Sequence, residues 1–333
     1  MRILFQCEQL NYRGTTNSTL EYALHNQLVL GNESTIAYCS INPPGKDVGT
    51  KPEIVERLKN QFNIITYETF EELNDLASKY DFCYSQRAGY AAEPDTKKPL
   101  VQVNTTRFGV HCVFQWYEPH GNSYAYISEW LAGNVTKMYA TPTPQKYVPY
   151  IVDLPSPNLS LRDRLGIPKN KFVWGRHGGY DTFDLDFARN VVVKVAQARS
   201  DYVFLFANTR PFCDLPNVIF LGSFFGNQEK SNYVAACDAM IHARHLGESF
   251  GLSVAEFLYH NKPVLSWEGG FDRNHVNWLG DYELLYKDEA DLYERMMDFR
   301  QRDNSVEYSK IVQEYNPTSV MKKFDEVFLR ATP

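Results

Sequence analysis

The sequence has no long apolar run, no long basic run and no paired cysteine motif. No stretch approaches the roughly 20 apolar residues that a membrane-spanning helix needs, and the first residues, MRILFQCEQL, do not have the pattern of a signal peptide. The six cysteines are scattered without a C-x-x-C pair, which is typical of reduced thiols. A net charge of −6 without a basic tract disfavours a nucleic-acid partner. We therefore expect a cytoplasmic protein with no membrane span and no bound nucleic acid.

Short apolar runs alternate with helical patterns along the 333 residues, a length that suggests two domains. In the first half, the predicted strands are RILFQC, STIAYCS, NIITYE, DFCYSQ and PLVQVN. The segments STLEYALHNQLVL, PEIVERLKNQF and FEELNDLASKY lie between them and carry apolar residues at helical spacing. Strands separated by helices of this length are typical of βαβ units in a parallel sheet.

A proline-rich segment, TPTPQKYVPYIVDLPSPN, divides the chain, because proline interrupts regular structure. The alternation then resumes with predicted strands in KFVWGR, YVFLFA, NVIFLG, DAMIHA and KPVLSW. The last segment, NPTSVMKKFDEVFLRA, predicts a helix with Pro317 in its first turn. The predicted fold is α/β, with two Rossmann-like, doubly wound domains that face a cleft. The first comprises residues 1–150, with the helix at 317–331 packing back on it, and the second comprises residues 151–316.

The stretch GESFG, at Gly247–Gly251, fits the G-x-S-x-G turn that presents a serine nucleophile in α/β-hydrolases. That turn requires a strand running directly into it, whereas the polar residues RHLGE follow the strand DAMIHA. Only His260 and His275 follow Ser249, and the acidic residues ahead of His275 lie close to it in sequence. A hydrolase that depends on Ser249 is therefore a minor alternative.

The same stretch contains Glu248, and seven residues lie between Glu248 and Glu256. The pattern from Ser253 to Glu256 fits a capping box, in which the glutamate bonds the serine amide at a helix start. Taken alone, the spacing leaves open whether Glu256 has this structural role or a functional one.

The elements around the two glutamates resemble the donor-binding half of the GT-B glycosyltransferases. Strand NVIFLGSF, helix NQEKSNYVAACDA, strand AMIHA, loop RHLGESFG, helix LSVAEFLYHN and strand KPVLSW match it in order. The chain is most similar to family 4, which consists of retaining enzymes with a signature of Glu, seven residues, Glu. The resemblance is strong over residues 217–265 and consistent over most of the chain.

The resemblance implies a role for each residue of this stretch. Glu256 would accept the ribose hydroxyls of a nucleotide sugar, and Glu248 would face the hydroxyls of its hexose. The amides of Phe250, Gly251 and Leu252 would bind the diphosphate at a helix N-terminus.

Members of the family also carry a Gly-Arg pair and a lysine six residues beyond the arginine, and the two cations neutralise the diphosphate. Arg176 matches the arginine, but Thr182 occupies the position of the lysine. Candidates for the missing positive charge are Arg210, Arg244 and His245; alternatively, the leaving group is held differently.

In the first half, YRGTTNSTLEYALHNQL resembles the glycine loop and first helix that face the sugar and the acceptor in this family. Ser18 to Glu21 fits a capping box, so Gly14 and Thr15 are expected in the loop before the helix. The family often places a histidine near the donor sugar, after the fifth strand. His111 and His120 are the candidates for that position.

The predicted function is transfer of a sugar from a UDP- or GDP-linked donor to a hydroxyl acceptor, either a glycan or a small molecule. The resemblance implies retention at the anomeric carbon, with Arg176 and the helix amides stabilising the departing diphosphate. No metal and no cofactor besides the donor substrate is expected. Besides the hydrolase, the alternatives are an NDP-sugar epimerase of the same fold and a sugar-nucleotide binder without catalysis.

Overall fold

The computed structural model describes residues 1–43, 49–92, 103–299 and 305–330. The chain forms two compact units: unit 1 comprises Met1–Ile151 and Tyr315–Pro333, and unit 2 comprises Val152–Glu314. Each unit contains a six-stranded parallel sheet flanked by helices, so the predicted α/β class with two doubly wound sheets is confirmed. Across the described ranges, no helix combines the length and hydropathy needed to cross a membrane.

The sheet of unit 1 has the strand order β3-β2-β1-β4-β5-β6. Its strands are β1 (Arg2–Cys7), β2 (Glu33–Cys39), β3 (Asn63–Tyr67), β4 (Phe82–Arg87), β5 (Arg107–Cys112) and β6 (Ser123–Tyr126). Its helices before the proline-rich segment are α1 (Gly14–Leu28), α2 (Pro52–Leu58), α3 (Phe70–Ala77) and α4 (Glu129–Met138). The strand order reverses between β1 and β4, which is where open sheets of this kind bind ligands.

The strands β1 to β4 confirm four predictions, whereas β5, β6 and α4 are not predicted by the sequence pattern. The predicted strand PLVQVN falls mostly on residues 93–102, outside the described residues. The strand β5 escapes prediction because Gly109 and His111 interrupt its apolar run. Gly109 is required by close packing, since a Cβ atom there would lie 2.5 Å from the Phe82 Cζ atom.

The sheet of unit 2 has the order β14-β12-β10-β7-β8-β9. Its strands are β7 (Phe172–Arg176), β8 (Tyr202–Ala207), β9 (Val218–Leu221), β10 (Ala239–His242), β12 (Val264–Trp267) and β14 (Leu285–Tyr286), while β11 (Gly247–Glu248) and β13 (Asp272–Arg273) form a separate pair. Its helices are α5 (Leu161–Arg164), α6 (Asp186–Ala198), α7 (Asn227–Ala236), α8 (Leu252–Tyr259), α9 (Asn274–Leu279) and α10 (Glu289–Asp298). All five strands predicted for this half are confirmed, and each supplies at least one buried apolar side chain to the core.

The chain returns to unit 1 in α11 (Pro317–Phe324), which continues into a π-helical turn, Asp325–Leu329. Pro317 occupies the first turn of α11, as predicted. The fully buried Phe324 packs its ring against Phe5, Tyr22 and Tyr84, with centroid distances of 5.2 to 6.3 Å. The core of unit 1 is therefore completed by residues more than 150 positions beyond the end of its last strand.

Candidate functional site

The strand order of unit 2 reverses between β7 and β10, the two central strands of its sheet. The chain leaves β7 toward β8 on one side, and it later returns to place β10 on the other side. Loops at such a reversal diverge at the carboxyl ends of the strands and leave a crevice for ligands. Arg176 is the last residue of β7 and His242 is the last residue of β10, so both stand at this edge.

The loop from β10 to α8 is held in place by glycine conformations and by a short strand pair. Gly247 has φ of 75° and pairs with Asp272, so that β11 lies parallel to β13. A Cβ atom on Gly247 would lie 1.9 Å from the Asp272 carbonyl oxygen. Gly251 has φ of 93° and precedes α8 in a left-handed conformation. Both positions require glycine, and together they fix the segment between them, which contains Glu248.

Glu248 is held at both carboxylate oxygens. His242 Nε2 donates to its Oε1 atom at 3.1 Å, and Arg244 Nη1 donates to its Oε2 atom at 2.8 Å. Burial raises the pKa of the carboxyl group, but Arg244 and the hydrogen bond from His242 outweigh burial and lower the pKa to about 2. The carboxylate is therefore ionised at neutral pH and can act only as an acceptor.

A second hydrogen bond fixes the ring of His242. Its Nδ1 atom lies 2.7 Å from the hydroxyl of Ser266, a fully buried residue of β12. Because the Nε2 atom must carry a proton to donate to Glu248, a neutral ring accepts the Ser266 proton at Nδ1. The chain Ser266–His242–Glu248 therefore determines the orientation of the carboxylate.

Glu256 is the fifth residue of α8 and is 3% exposed. Lys230 Nζ donates to its Oε1 atom at 2.7 Å, and His177 Nε2 lies 3.0 Å from its Oε2 atom. Burial raises the pKa of Glu256, but the Lys230 ammonium group and the adjacent His177 ring outweigh burial and lower the pKa to about 2. The capping-box interpretation is wrong, because α8 begins at Leu252 and the Glu256 side chain turns to Lys230.

The first turn of α8 presents amide groups that have no acceptor within the helix. Gly251 is the N-cap residue and supplies no capping side chain. The Phe250 side chain is buried against Trp278, with ring centroids 5.3 Å apart, and its carbonyl accepts from Asn274 Nδ2. Backbone amides, and not the Phe250 ring, are thus what this turn offers to an anion.

Arg176 is 3% exposed, and its guanidinium group donates to four uncharged acceptors. Nη1 donates to the Asn208 carbonyl oxygen and to Thr209 Oγ1, at 3.1 and 2.6 Å. Nη2 donates to the Gly179 carbonyl oxygen and to Thr182 Oγ1, at 2.9 and 2.7 Å. Burial lowers the pKa of Arg176 to about 10, so the group remains positively charged at neutral pH.

The three candidates for the missing lysine charge differ in their surroundings. Arg210 is 63% exposed at its side chain and forms a 2.7 Å ion pair with Asp181. Arg244 is engaged with Glu248, as described above. His245 stacks on Trp267 at a centroid distance of 6.1 Å. Arg244 therefore lies beside Glu248, and Arg210 lies on an exposed surface, where its charge is paired with that of Asp181.

In unit 1, Gly14 and Thr15 are exposed in the first turn of α1. The prediction that they precede the helix is wrong, because α1 starts at Gly14 and Arg13 is its N-cap residue. Ser18, the expected capping residue, instead donates its hydroxyl to the Gly14 carbonyl oxygen at 2.8 Å, as serine does within a helix.

The two candidate histidines of unit 1 have structural partners. His111 is fully buried: its Nδ1 atom lies 2.6 Å from the Tyr84 hydroxyl, and its Nε2 atom lies 2.9 Å from the Val148 carbonyl oxygen. His120 is half-buried, and its Nδ1 atom lies 2.7 Å from the Glu118 carbonyl oxygen. This geometry gives His111 a place in the core and offers no surface for a substrate.

The alternative nucleophile Ser249 lies outside the main sheet of unit 2. The strand β10 ends at His242, and β11, which contains Glu248, pairs only with the two residues of β13 in the described structure. The ring nitrogens of His242 bond Ser266 and Glu248, and His275 Nε2 lies 3.4 Å from the Trp267 carbonyl oxygen. This arrangement lacks the strand-to-helix turn that exposes a nucleophilic serine.

Sequence reasoning missed three residues that contact the two glutamates: Lys230, His177 and His242. The sequence offers a signal for the two histidines, because His242 lies at the carboxyl end of a predicted strand and His177 directly follows one. The sequence gives little indication that Lys230 belongs to the site, because it is a single lysine within the predicted helix NQEKSNYVAACDA.

Comparison with solved structures shows the same fold. The Anabaena protein HepE, in its complex with UDP-glucose, matches with a TM-score of 0.71, 13% identity and coverage of 98% of both chains. WaaG, a glycosyltransferase involved in lipopolysaccharide biosynthesis, matches with a TM-score of 0.57 and 12% identity, covering 98% of this chain and 99% of that one. A putative UDP-N-acetylglucosamine 2-epimerase from Listeria monocytogenes matches with a TM-score of 0.57 and 10% identity, covering 96% and 94%.

No family model matches the chain, and no curated protein matches its sequence. At these low identities, the similarity to solved structures establishes the fold, which is the predicted GT-B fold.

Proposed function

We propose that the protein is a glycosyltransferase that uses a nucleotide-sugar donor, similar to the retaining enzymes of family 4. The observation that carries the proposal is the pair of ionised glutamates, Glu248 and Glu256, on either side of the N-terminus of α8 at the reversal of strand order. The GT-B fold and the neighbouring structure of HepE with UDP-glucose support it.

The two carboxylates suit hydroxyl groups because each is a pure acceptor. A carboxylate has about four lone-pair sites, and the contacts of Glu256 with Lys230 and His177 occupy one on each oxygen. The remaining sites would accept the two ribose hydroxyls. Glu248, similarly held by His242 and Arg244, would accept hydroxyls of the donor sugar.

The diphosphate would lie between them, at the amides of Gly251 and Leu252. Arg176 adds a cation whose own hydrogen bonds go to neutral acceptors, so no carboxylate bonded to it cancels its charge. Amides and a fixed cation aimed at a charged leaving group lower the barrier to its departure. Within this proposal, transfer is retaining and needs no metal, and a phosphate oxygen of the leaving group takes the proton of the acceptor hydroxyl.

A panel of UDP- and GDP-sugars, incubated with hydroxyl acceptors and a metal chelator, tests the proposal. We expect nucleotide release coupled to a glycosylated product, with the anomeric configuration retained in the NMR spectrum. Glu248→Ala should reduce turnover about 100-fold or more, and Ser249→Ala should leave it within about threefold. Glu289→Ala, which breaks a surface ion pair with Lys194, is the matched control.

Three outcomes would contradict the proposal. Loss of activity in Ser249→Ala with full activity in Glu248→Ala would indicate the hydrolase. An isomerised nucleotide sugar without nucleotide release would indicate an epimerase, which is the activity named for the Listeria neighbour. Tight nucleotide binding without turnover of any donor would indicate a binding protein.

A further inference from the structure

Lys230 is a buried lysine that contacts no part of the donor in the proposed function. It lies in the interior of α7 and is 7% exposed, although lysine is rarely buried unless it is paired. Its Nζ atom donates to Glu256 Oε1 at 2.7 Å. Because the contact joins α7 to α8 inside unit 2, it fixes the carboxylate against a second helix.

His177 lies beside the other oxygen of the same carboxylate, with its Nε2 atom 3.0 Å from Oε2. Its ring stacks on Phe257 at a centroid distance of 5.9 Å and meets Tyr233 edge-on at 5.7 Å, so its position is fixed by packing. The Glu256 carboxylate is therefore contacted at both oxygens, by a lysine from α7 and by a histidine that follows β7. One lone-pair site on each oxygen remains for a ligand.

This arrangement matches a vicinal diol, which offers two neighbouring hydroxyl donors. We propose that Lys230 is a positioning residue that orients the Glu256 carboxylate to accept hydrogen bonds from both ribose hydroxyls. It thereby sets a preference for ribonucleotides over 2′-deoxyribonucleotides. The inference rests on the proposed function, in which Glu256 binds the ribose.

Loss of Lys230 would weaken the binding of the ribose hydroxyls by Glu256 in two ways. The glutamate side chain would regain rotational freedom, because one of its two contacts would be gone. Its pKa would rise, since burial is the largest influence on it and Lys230 is the largest opposing one. A protonated carboxyl group uses one oxygen as a donor and cannot accept symmetrically from two hydroxyls.

Calorimetric binding of three pairs of probes tests the inference: UDP with 2′-deoxy-UDP, GDP with 2′-deoxy-GDP, and UDP with uridine. We expect the wild type to prefer the better-bound ribonucleotide over its deoxy form by about tenfold or more, as expected for a hydrogen bond to a charged group. In Lys230→Met this preference should fall to about threefold or less and should depend on pH, and uridine should lose as much affinity as UDP. Lys230→Arg should retain most of the preference.

A lysine–glutamate pair elsewhere in unit 2 supplies the matched control. Lys194 pairs with Glu289 at 2.5 Å on the surface, so Lys194→Met should leave every ratio unchanged. Since Lys230→Met leaves a buried carboxylate with a single partner and can unfold the protein, Lys230→Gln, which retains a donor without the charge, is measured alongside. Thermal melting confirms that the variants measured are folded.

Each remaining outcome overturns a particular claim. An unchanged ribose preference in folded Lys230→Met or Lys230→Gln would show that Lys230 does not position Glu256. Lost affinity for UDP with unchanged affinity for uridine would show that Lys230 binds phosphate directly. If the wild type binds neither nucleotide nor uridine, the proposed function itself fails, and this result is distinct from the other two.

Discussion

Arg176 donates a hydrogen bond of 2.7 Å to Thr182, the residue six positions further along the chain. In the family that the sequence resembles, a lysine at this position adds a second cation. Here the threonine serves the first cation as an acceptor instead, and it holds the guanidinium group in place with Thr209 and two backbone carbonyls. In the proposed function, the positive charge beside the diphosphate would therefore come from one buried arginine, in addition to the amides of α8.

Arg176→Met should weaken UDP binding about 10- to 100-fold and leave uridine binding within about threefold, because only UDP carries the charges that the guanidinium attracts. The free energy of unfolding should fall by about 2 to 5 kcal/mol, since four buried acceptors lose their donor. Calorimetry and urea unfolding measure both quantities. Arg189→Met, on α6, is the control, because Arg189 bonds the Phe183 carbonyl and Asp186 away from the site. Equal losses for UDP and uridine would contradict a role at the diphosphate.

The stability of unit 1 should decrease on mild acidification because of His111. Burial lowers its pKa from 6.5 to about 4, against the opposing hydrogen bonds to the Tyr126 and Val148 carbonyls. Between pH 6.5 and pH 4, His111 binds a proton in the unfolded chain but not in the folded chain. The free energy of unfolding is therefore retained above pH 6.5 and decreases as the pH falls toward 4. The loss at pH 4 should approach about 3 kcal/mol.

His111→Gln removes this titration and makes the effect measurable. Its free energy of unfolding in urea should be lower than that of the wild type at pH 7, because hydrogen bonds are lost. The difference in unfolding free energy between the two proteins should shrink as the pH falls from 7 to 4. Only the wild type loses the contribution of His111 over this range, whereas the carboxylates titrate in both proteins. A constant difference over this range would show that His111 does not resist protonation.

Gly247→Ala should destabilise unit 2 by about 2 to 4 kcal/mol, from backbone strain at positive φ and from the collision with the Asp272 carbonyl oxygen. Donor turnover should fall as well, because the β11–β13 pair that carries Glu248 would shift. Gly280→Ala is the control: a Cβ atom there meets nothing within 4 Å, and φ is −56°. Urea unfolding of both variants gives the comparison, and equal stabilities would contradict the tight approach at Gly247.

Phe324→Ala should cost unit 1 about 3 to 5 kcal/mol, the usual range for deleting a fully buried aromatic ring. The ring packs on Phe5, Tyr22 and Tyr84, and Phe324 belongs to the helix that returns from the end of unit 2. Phe70→Ala, at a ring that is 48% exposed on α3, should change stability by about 0.5 kcal/mol or less. A small effect of Phe324→Ala in urea unfolding would mean that the returning helix contributes little to the core.

The sequence predicts the strands of this fold where the apolar runs are continuous, as in YVFLFA and RILFQC. It fails where a residue is chosen for packing or for a hydrogen bond: Gly109 makes room for Phe82, and His111 bonds Tyr84 in the middle of β5. Helix starts are misjudged at α1 for a related reason. A serine three residues before a glutamate satisfies the capping pattern, yet Ser18 lies inside a helix that begins at Gly14.

The candidate site likewise contains residues that the local sequence pattern predicts and residues that it does not. Glu248 and Glu256 are recognisable because their spacing is local and belongs to one loop and one helix. Their partners come from elsewhere: Lys230 precedes Glu256 by 26 residues and meets it only because α7 packs beside α8. Such pairings depend on tertiary packing, which the local pattern of one sequence does not encode.

The return of α11 to unit 1 has a consequence for synthesis on the ribosome. Unit 2 is a continuous stretch, Val152–Glu314, and can close its core as soon as that stretch has emerged. Unit 1 begins before unit 2 in the chain but needs Phe324 and its neighbours, which follow unit 2. Unit 1 is therefore expected to finish folding after unit 2, and until α11 has emerged the apolar surface around Tyr22 and Tyr84 lacks the ring of Phe324 that covers it.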